Sequence, residues 1–248
     1  HVVLFAGAWL AMGLVMASLV GHVRGWPQAQ ASGRLARRYY LASSVALSAA
    51  LAALWWQTGA TTISGLSAAV TASTATVLFA AGALVLAAMI QSALFPFHAW
   101  LLSSMTAPTP ASALMHAGFV NAGGVLLLRF APVVTVDATV LLSVLTLGAA
   151  SALLGKLLKT VQTDVKRQLG CSTVGQMGFM IMQAGLGFFG AAIAHLILHG
   201  FYKAYQFLAS GERVERTSPG EPARAEVTGV VGVVVIGLSA LAGGVAFA

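Results

Sequence analysis

Apolar runs of about twenty residues recur along the chain, at 2–21, 39–57, 75–102, 109–130, 138–158, 171–189, 191–210 and 227–248, with short polar stretches between them. A bilayer core is roughly 30 Å thick, so a helix needs about that many apolar residues to cross it. Eight membrane helices in one domain covering 1–248 follow, the third of them interrupted. Lipid offers no hydrogen-bond partner to the backbone, which leaves an all-α, polytopic helix bundle as the fold class. Composition points the same way. With 58% hydrophobic and 8% charged residues and a mean hydropathy of +0.89, the chain lies far outside the range of soluble domains, and a soluble enzyme is excluded.

Charge then sets orientation. Arg24, Arg34, Arg37 and Arg38 fall in 22–38, Lys156, Lys159, Lys166 and Arg167 in 156–170, and Arg213, Arg216 and Arg224 in 211–226. If the first of these loops is cytoplasmic, alternation puts all three on that side; only Arg129 lies outside and Lys203 within a span. The formal net charge of +7 is therefore topological, and nucleic acid is not an expected partner. A multi-pass protein of the cell inner membrane is expected, with the segment 211–226, GERVERTSPGEPARAE, as its one long polar cytoplasmic linker and a surface for a soluble partner. His1 and Ala248 both fall inside apolar runs, so the chain reads as a fragment. Cys171, the single cysteine, permits no internal disulfide and reads as a packing residue. The 27 glycines suit close helix packing in lipid.

The interruption lies in LVLAAMIQSALFPFHAWLLSSMTAPTPASALMH, 84–116. Pro96 removes an amide donor and crowds the preceding turn, so the helix should break between Gln91 and Phe97. Broken helices at membrane depth line hydrated or protein-filled cavities. A plain proline kink is the other reading, and the polar neighbours Gln91, Ser92 and His98 favour a transport pathway.

The run AAIAHLILHGFYKAYQFLASG, 191–211, carries His195, His199 and Lys203 at intervals of four. One helix face therefore holds all three. A lysine at membrane depth costs at least about 2.5 kcal/mol to insert, so it should face the bundle interior with a partner or water. Histidine changes charge near neutral pH and desolvation favours a neutral lysine, so protons can hop along such a stripe through water. Two other readings are a zinc pair, for which no third ligand lies nearby, and snorkelling of Lys203 to the interface. His116, with Asn121 five residues on, is either hydrogen-bonded packing or a further relay member. Asp164, Lys166 and Arg167 sit at a helix entrance, where a solvated capping cluster is the simpler reading.

Taken together, FPFHAWLLSSMTAPTPASALMHAG, TDVKRQLGCSTVGQMGFM and HLILHGFYKA resemble the antiporter-like subunits of respiratory complex I and of Mrp cation/proton antiporters. The resemblance implies the middle of a fourteen-helix-type, proton-conducting fold. It implies that His195, His199, Lys203 and His116 form a central relay, with Asp164 and Lys166 at its cytoplasmic entrance. It also places the family's broken-helix lysine at Gln91 and its gating glutamate near Trp9 and Leu10, so both members of that charge pair are replaced.

MHAGFVNAGGVLLLRFAP and HGFYKAYQFLASG look like the membrane subunit of the DAB-type inorganic carbon uptake complex. That likeness implies proton flux supplied to a soluble zinc-binding, carbonic-anhydrase-like partner. The zinc is expected in the partner, and neither metal nor cofactor in this chain. The remaining alternatives are a proton-pumping subunit of NADH:quinone oxidoreductase, an Mrp antiporter subunit, and a structural scaffold whose polar residues only satisfy one another.

Overall fold

A computed structural model describes residues 1–212, and every regular element among them is helical. In chain order these are α1 (Val2–Val20), α2 (Pro27–Thr58), α3 (Ile63–Ala68), α4 (Ala75–Gln91), α5 (Ala99–Ser103), α6 (Thr109–Ala117), α7 (Ala122–Arg129), α8 (Ala131–Val134), α9 (Ala138–Thr160), α10 (Val165–Gly185) and α11 (Phe189–Glu212). Short 3-10 turns follow α5 and separate α6 from α7. Four stretches, namely α1, α2, α9 and the run 109–129, are long and apolar enough to cross a membrane by length and composition. α10 and α11 are of spanning length but carry the polar residues. The expected eighth span, 227–248, and the linker beyond Glu212 lie outside the described residues.

Boundaries follow local chemistry. Pro27 stands at the first turn of α2, where its missing amide costs nothing, and Gly59 ends that helix at φ 68°, a left-handed conformation that glycine adopts freely. Because the backbone continues as helix from Pro27, Arg34, Arg37 and Arg38 lie on the first three turns of α2 and not in a loop. The helix simply extends past its apolar part. Asp164 accepts a bond from the Arg167 amide at 2.8 Å and starts α10 six residues before the apolar run begins. Asp137 does the same for α9, accepting from Thr139 at 2.7 Å, and that hydrogen bond holds its carboxyl below the usual range.

Alternation of the helices agrees with the charge pattern. Ser32 donates to the Ser103 carbonyl at 2.8 Å and Lys166 to the Ala107 carbonyl at 3.4 Å, joining the starts of α2 and α10 to the turn after α5. At the opposite end, Arg129 donates to Ser64 and the Val2 amide to Thr61. Outward faces present Val45, Phe79, Leu153 and Phe201, as a lipid-facing surface should.

Glycine sets how near the helices come. A Cβ on Gly155 would lie 2.6 Å from Gly175 Cα, and one on Gly178 2.7 Å from the Ser151 carbonyl carbon, so α9 and α10 meet backbone to backbone. Gly155→Ala should therefore lower the unfolding stability of the detergent-solubilised protein by about 1–3 kcal/mol. Gly82→Ala, which faces open space, should be neutral or raise it by up to about 1 kcal/mol. The Asp137 cap contributes above the ordinary aspartate range and is lost as pH falls through the lowered value. Amide exchange at the start of α9 should consequently speed up on acidification, and Asp137→Asn should remove that dependence.

Candidate functional site

The break between α4 and α5 spans 92–98, the interval around Pro96. Its freed backbone groups find partners inside the protein. Trp100 Nε1 donates to the Ile90 carbonyl at 2.9 Å and the Phe95 amide to Ser151 Oγ at 3.1 Å, while the Ser92 side chain donates from Oγ to the Val120 carbonyl at 2.6 Å. Ala93 adopts φ 52°, in the left-handed region where its Cβ crowds the following carbonyl. Gln91 is buried at the end of α4, and its amide nitrogen has no hydrogen-bond partner among the described residues. His98 is half-buried and stacks on Phe95 with ring centroids 5.6 Å apart.

The second polar region lies where α6, α10 and α11 converge. α11 crosses α6 at Gly200, where a Cβ would sit 2.9 Å from the Ala117 carbonyl. Asn121 reinforces the crossing by donating to Ala117 at 2.7 Å and to Leu196 at 3.5 Å. This approach brings His116 of α6 beside the stripe of α11. His116 is fully buried, stacks on Phe207 with centroids 4.2 Å apart, and places Nδ1 3.0 Å from Thr173 Oγ1. It lies within electrostatic reach of both His199 and Lys203.

Lys203 is fully buried and donates from Nζ to the Leu169 carbonyl at 3.1 Å. Thr173 Oγ1 donates to that same carbonyl at 3.0 Å. A hydrogen-bonded chain thus runs from Lys203 through Leu169 and Thr173 to His116. When the hydroxyl proton goes to Leu169, His116 donates from Nδ1 and keeps a lone pair on Nε2. That atom, like both ring nitrogens of buried His199, has no partner among the described residues. His195 is half-buried one turn further out, its ring 6.0 Å from His199 and 5.5 Å from Phe179.

Lys203 is enclosed, so it does not snorkel. The cluster also lacks an acidic partner among the described side chains: Asp164 is exposed, Asp137 is half-buried, and each caps a helix. No three His, Cys, Asp or Glu side chains converge among the described residues. Lys166 bonds to Ala107, while Lys166, Leu169 and Thr173 lie on one face of α10 at spacings of three and four. Thr173 carries a weak sequence signal, standing two turns beyond Lys166. The Leu169 carbonyl carries none, because a backbone acceptor is chosen by packing alone.

Membrane-length helices around a broken one, with protonatable side chains enclosed where three of them meet, define an antiporter-like membrane subunit. Comparison with known proteins narrows this class. Residues 1–224 match the family described as NADH:quinone oxidoreductase/Mrp antiporter, transmembrane, and the chain belongs to that family. It is similar to the probable inorganic carbon transporter subunit DabB1 of Halothiobacillus neapolitanus, with 50% identity over 139 residues, 56% of this chain and 25% of that protein. It is likewise similar to the probable inorganic carbon transporter subunit DabB of Bacillus anthracis, with 39% identity over 208 residues, 83% of this chain and 40% of that protein. The match thus spans a quarter to two-fifths of these relatives' length. Among solved structures, the Mrp complex from Dietzia sp. DQ12-45-1b superposes with a TM-score of 0.81 at 29% identity, covering 96% of this chain and 27% of that one.

A buried ammonium with a single carbonyl partner among the described residues is costly to keep. Lys203→Met should therefore raise the unfolding stability of the solubilised protein by about 1–4 kcal/mol. A fall in stability instead would make Lys203 a structural tie between α10 and α11.

Proposed function

We propose that this chain is the core of a proton-conducting membrane subunit in an energy-coupled inorganic carbon uptake complex of the cell inner membrane. The observation that carries the reading is the enclosed set His116, His199 and Lys203, held in place by Leu169 and Thr173 and without a carboxylate among the described residues. A backbone carbonyl cannot relay a proton, so Leu169 positions Nζ, and the transfer itself passes between Nζ and the ring nitrogens, directly or through water. One proton moves per step: lysinium becomes amine as a histidine becomes imidazolium. Like charges so close disfavour double occupancy, so a proton entering from one side promotes departure of the one already there. Lys166 stands at the cytoplasmic entrance on the same face of α10 as Leu169 and Thr173. Asp164 fixes that entrance by starting the helix, and His195 continues the stripe outward. Gln91 supplies a neutral hydrogen-bonding group in the broken helix, flanked by Pro96 and His98.

The names of the similar transporter subunits support inorganic carbon as the cargo of the complex. In this reading the proton flux drives or gates carbon dioxide hydration in a soluble zinc-binding, carbonic-anhydrase-like partner, and zinc belongs to that partner. A second reading, a subunit of an Mrp antiporter or of NADH:quinone oxidoreductase, is supported by the family match and by the Mrp superposition. The two differ in company. Co-purification of the full-length subunit from its native membrane should bring a soluble zinc protein with it; quinone-oxidoreductase or antiporter subunits would select the second reading. Within the first, Lys203→Ala should abolish carbon-dependent growth rescue while leaving assembly intact. Unchanged rescue would remove Lys203 from the relay.

A further inference from the structure

Away from the relay, the turn between α1 and α2 encloses a cleft of about 640 Å³. Ser18, His22, Arg24, Gln30, Arg34 and Arg37 line it. On α2 the lining positions 30, 33, 34 and 37 follow the spacing of one helix face, so the two arginines reach the cleft from adjacent turns. The floor is rigid. Gln30 Nε2 donates to the Gly21 carbonyl at 2.7 Å and to Val23 at 3.4 Å, and a Cβ on Gly33 would lie 2.9 Å from Gly21 Cα. Backbone therefore meets backbone beneath a set of long, exposed cationic side chains.

These charges have no acidic counterpart on their own helices, since residues 1–136 contain neither Asp nor Glu. Asp164, at the start of α10, spends a carboxylate oxygen on its own helix. Arg24, Arg34 and Arg37 line a concave site whose lining among the described residues holds no carboxylate, which suits a tetrahedral oxyanion able to accept paired bonds from each planar fork. The depth is that of lipid headgroups: α1 ends here, and exposed Trp26 stands beside the turn. Basic clefts between membrane helices at this level attract anionic headgroups.

We propose that this cleft is an oxyanion site for a phosphate group, gripped by Arg24, Arg34 and Arg37 and supplied by an anionic phospholipid headgroup or by free phosphate. The test takes the full-length subunit through a delipidating detergent wash and counts retained phosphatidylglycerol by native mass spectrometry. A parallel arm titrates the washed protein with inorganic phosphate and reads thermal stability. The comparison variants are Arg34→Gln with Arg37→Gln, Ser18→Glu, which keeps every arginine but adds a carboxylate to the cleft, and Arg38→Gln, which lies off its lining.

Retention of phosphatidylglycerol that falls about tenfold or more in the double variant and in Ser18→Glu, but not in Arg38→Gln, establishes the site with lipid as its source. Stabilisation by inorganic phosphate with the same variant pattern establishes it with the free ion as its source. Binding in neither arm, or binding that both cleft variants leave unchanged, overturns it. Should the double variant fail to insert, Ser18→Glu alone decides.

Discussion

The contact on which the site depends is the hydrogen bond from Lys203 to the Leu169 carbonyl. An ammonium group enclosed in a membrane bundle must find its partners within the protein, and here it finds a carbonyl one turn inside the start of α10. That single bond orders much else. It seats Nζ on the carbonyl that also accepts from Thr173, whose hydroxyl in turn meets the His116 ring. Gly200 makes the arrangement possible by letting α11 approach Ala117 closely. A bulkier residue there would separate His199 and Lys203 from the histidine of α6.

The broken helix obeys the same requirement through different chemistry. Where the α4 ladder ends, the Trp100 indole takes the Ile90 carbonyl and the Ser151 hydroxyl takes the Phe95 amide, replacing two of the backbone's lost bonds. Ser92 is the connecting element: its bond to Val120 ties the break to the turn directly after α6, so the interruption and His116 belong to one packed unit. Gln91 remains there as a buried amide whose donor has no partner among the described residues. Both halves of the site thus sit at irregular or glycine-rich points of otherwise regular helices.

Much of the fold was legible in the chain because lipid permits so few backbone solutions. The apolar runs mark the helices, Pro96 marks the break, and the spacing of His195, His199 and Lys203 marks a face. What escaped were features set by polar or non-local chemistry. The first turns of α2 carry arginines that hydropathy does not register as helix, and the start of α10 depends on the Asp164 cap rather than on apolar content. The continuous span expected over 109–130 is split at Gly118, where the backbone passes through a 3-10 turn. The pairing of His116 with Thr173 joins residues 57 apart in sequence, and no local pattern announces it. The entrance residues Asp164 and Lys166 lie at the start of α10, where their contacts tie down helix ends, and their part in conduction is proposed from the face that Lys166 shares with Leu169 and Thr173.

The central claim is that protons cross through the Lys203 cluster. The most direct measurement is decay of an imposed pH gradient in liposomes that hold the purified full-length subunit, read with an enclosed pH-sensitive dye. The account predicts that the wild-type protein dissipates the gradient and that Lys203→Met, inserted to the same level, does not. Equal decay in the two preparations would contradict it and leave the cluster as a buried polar tie between helices.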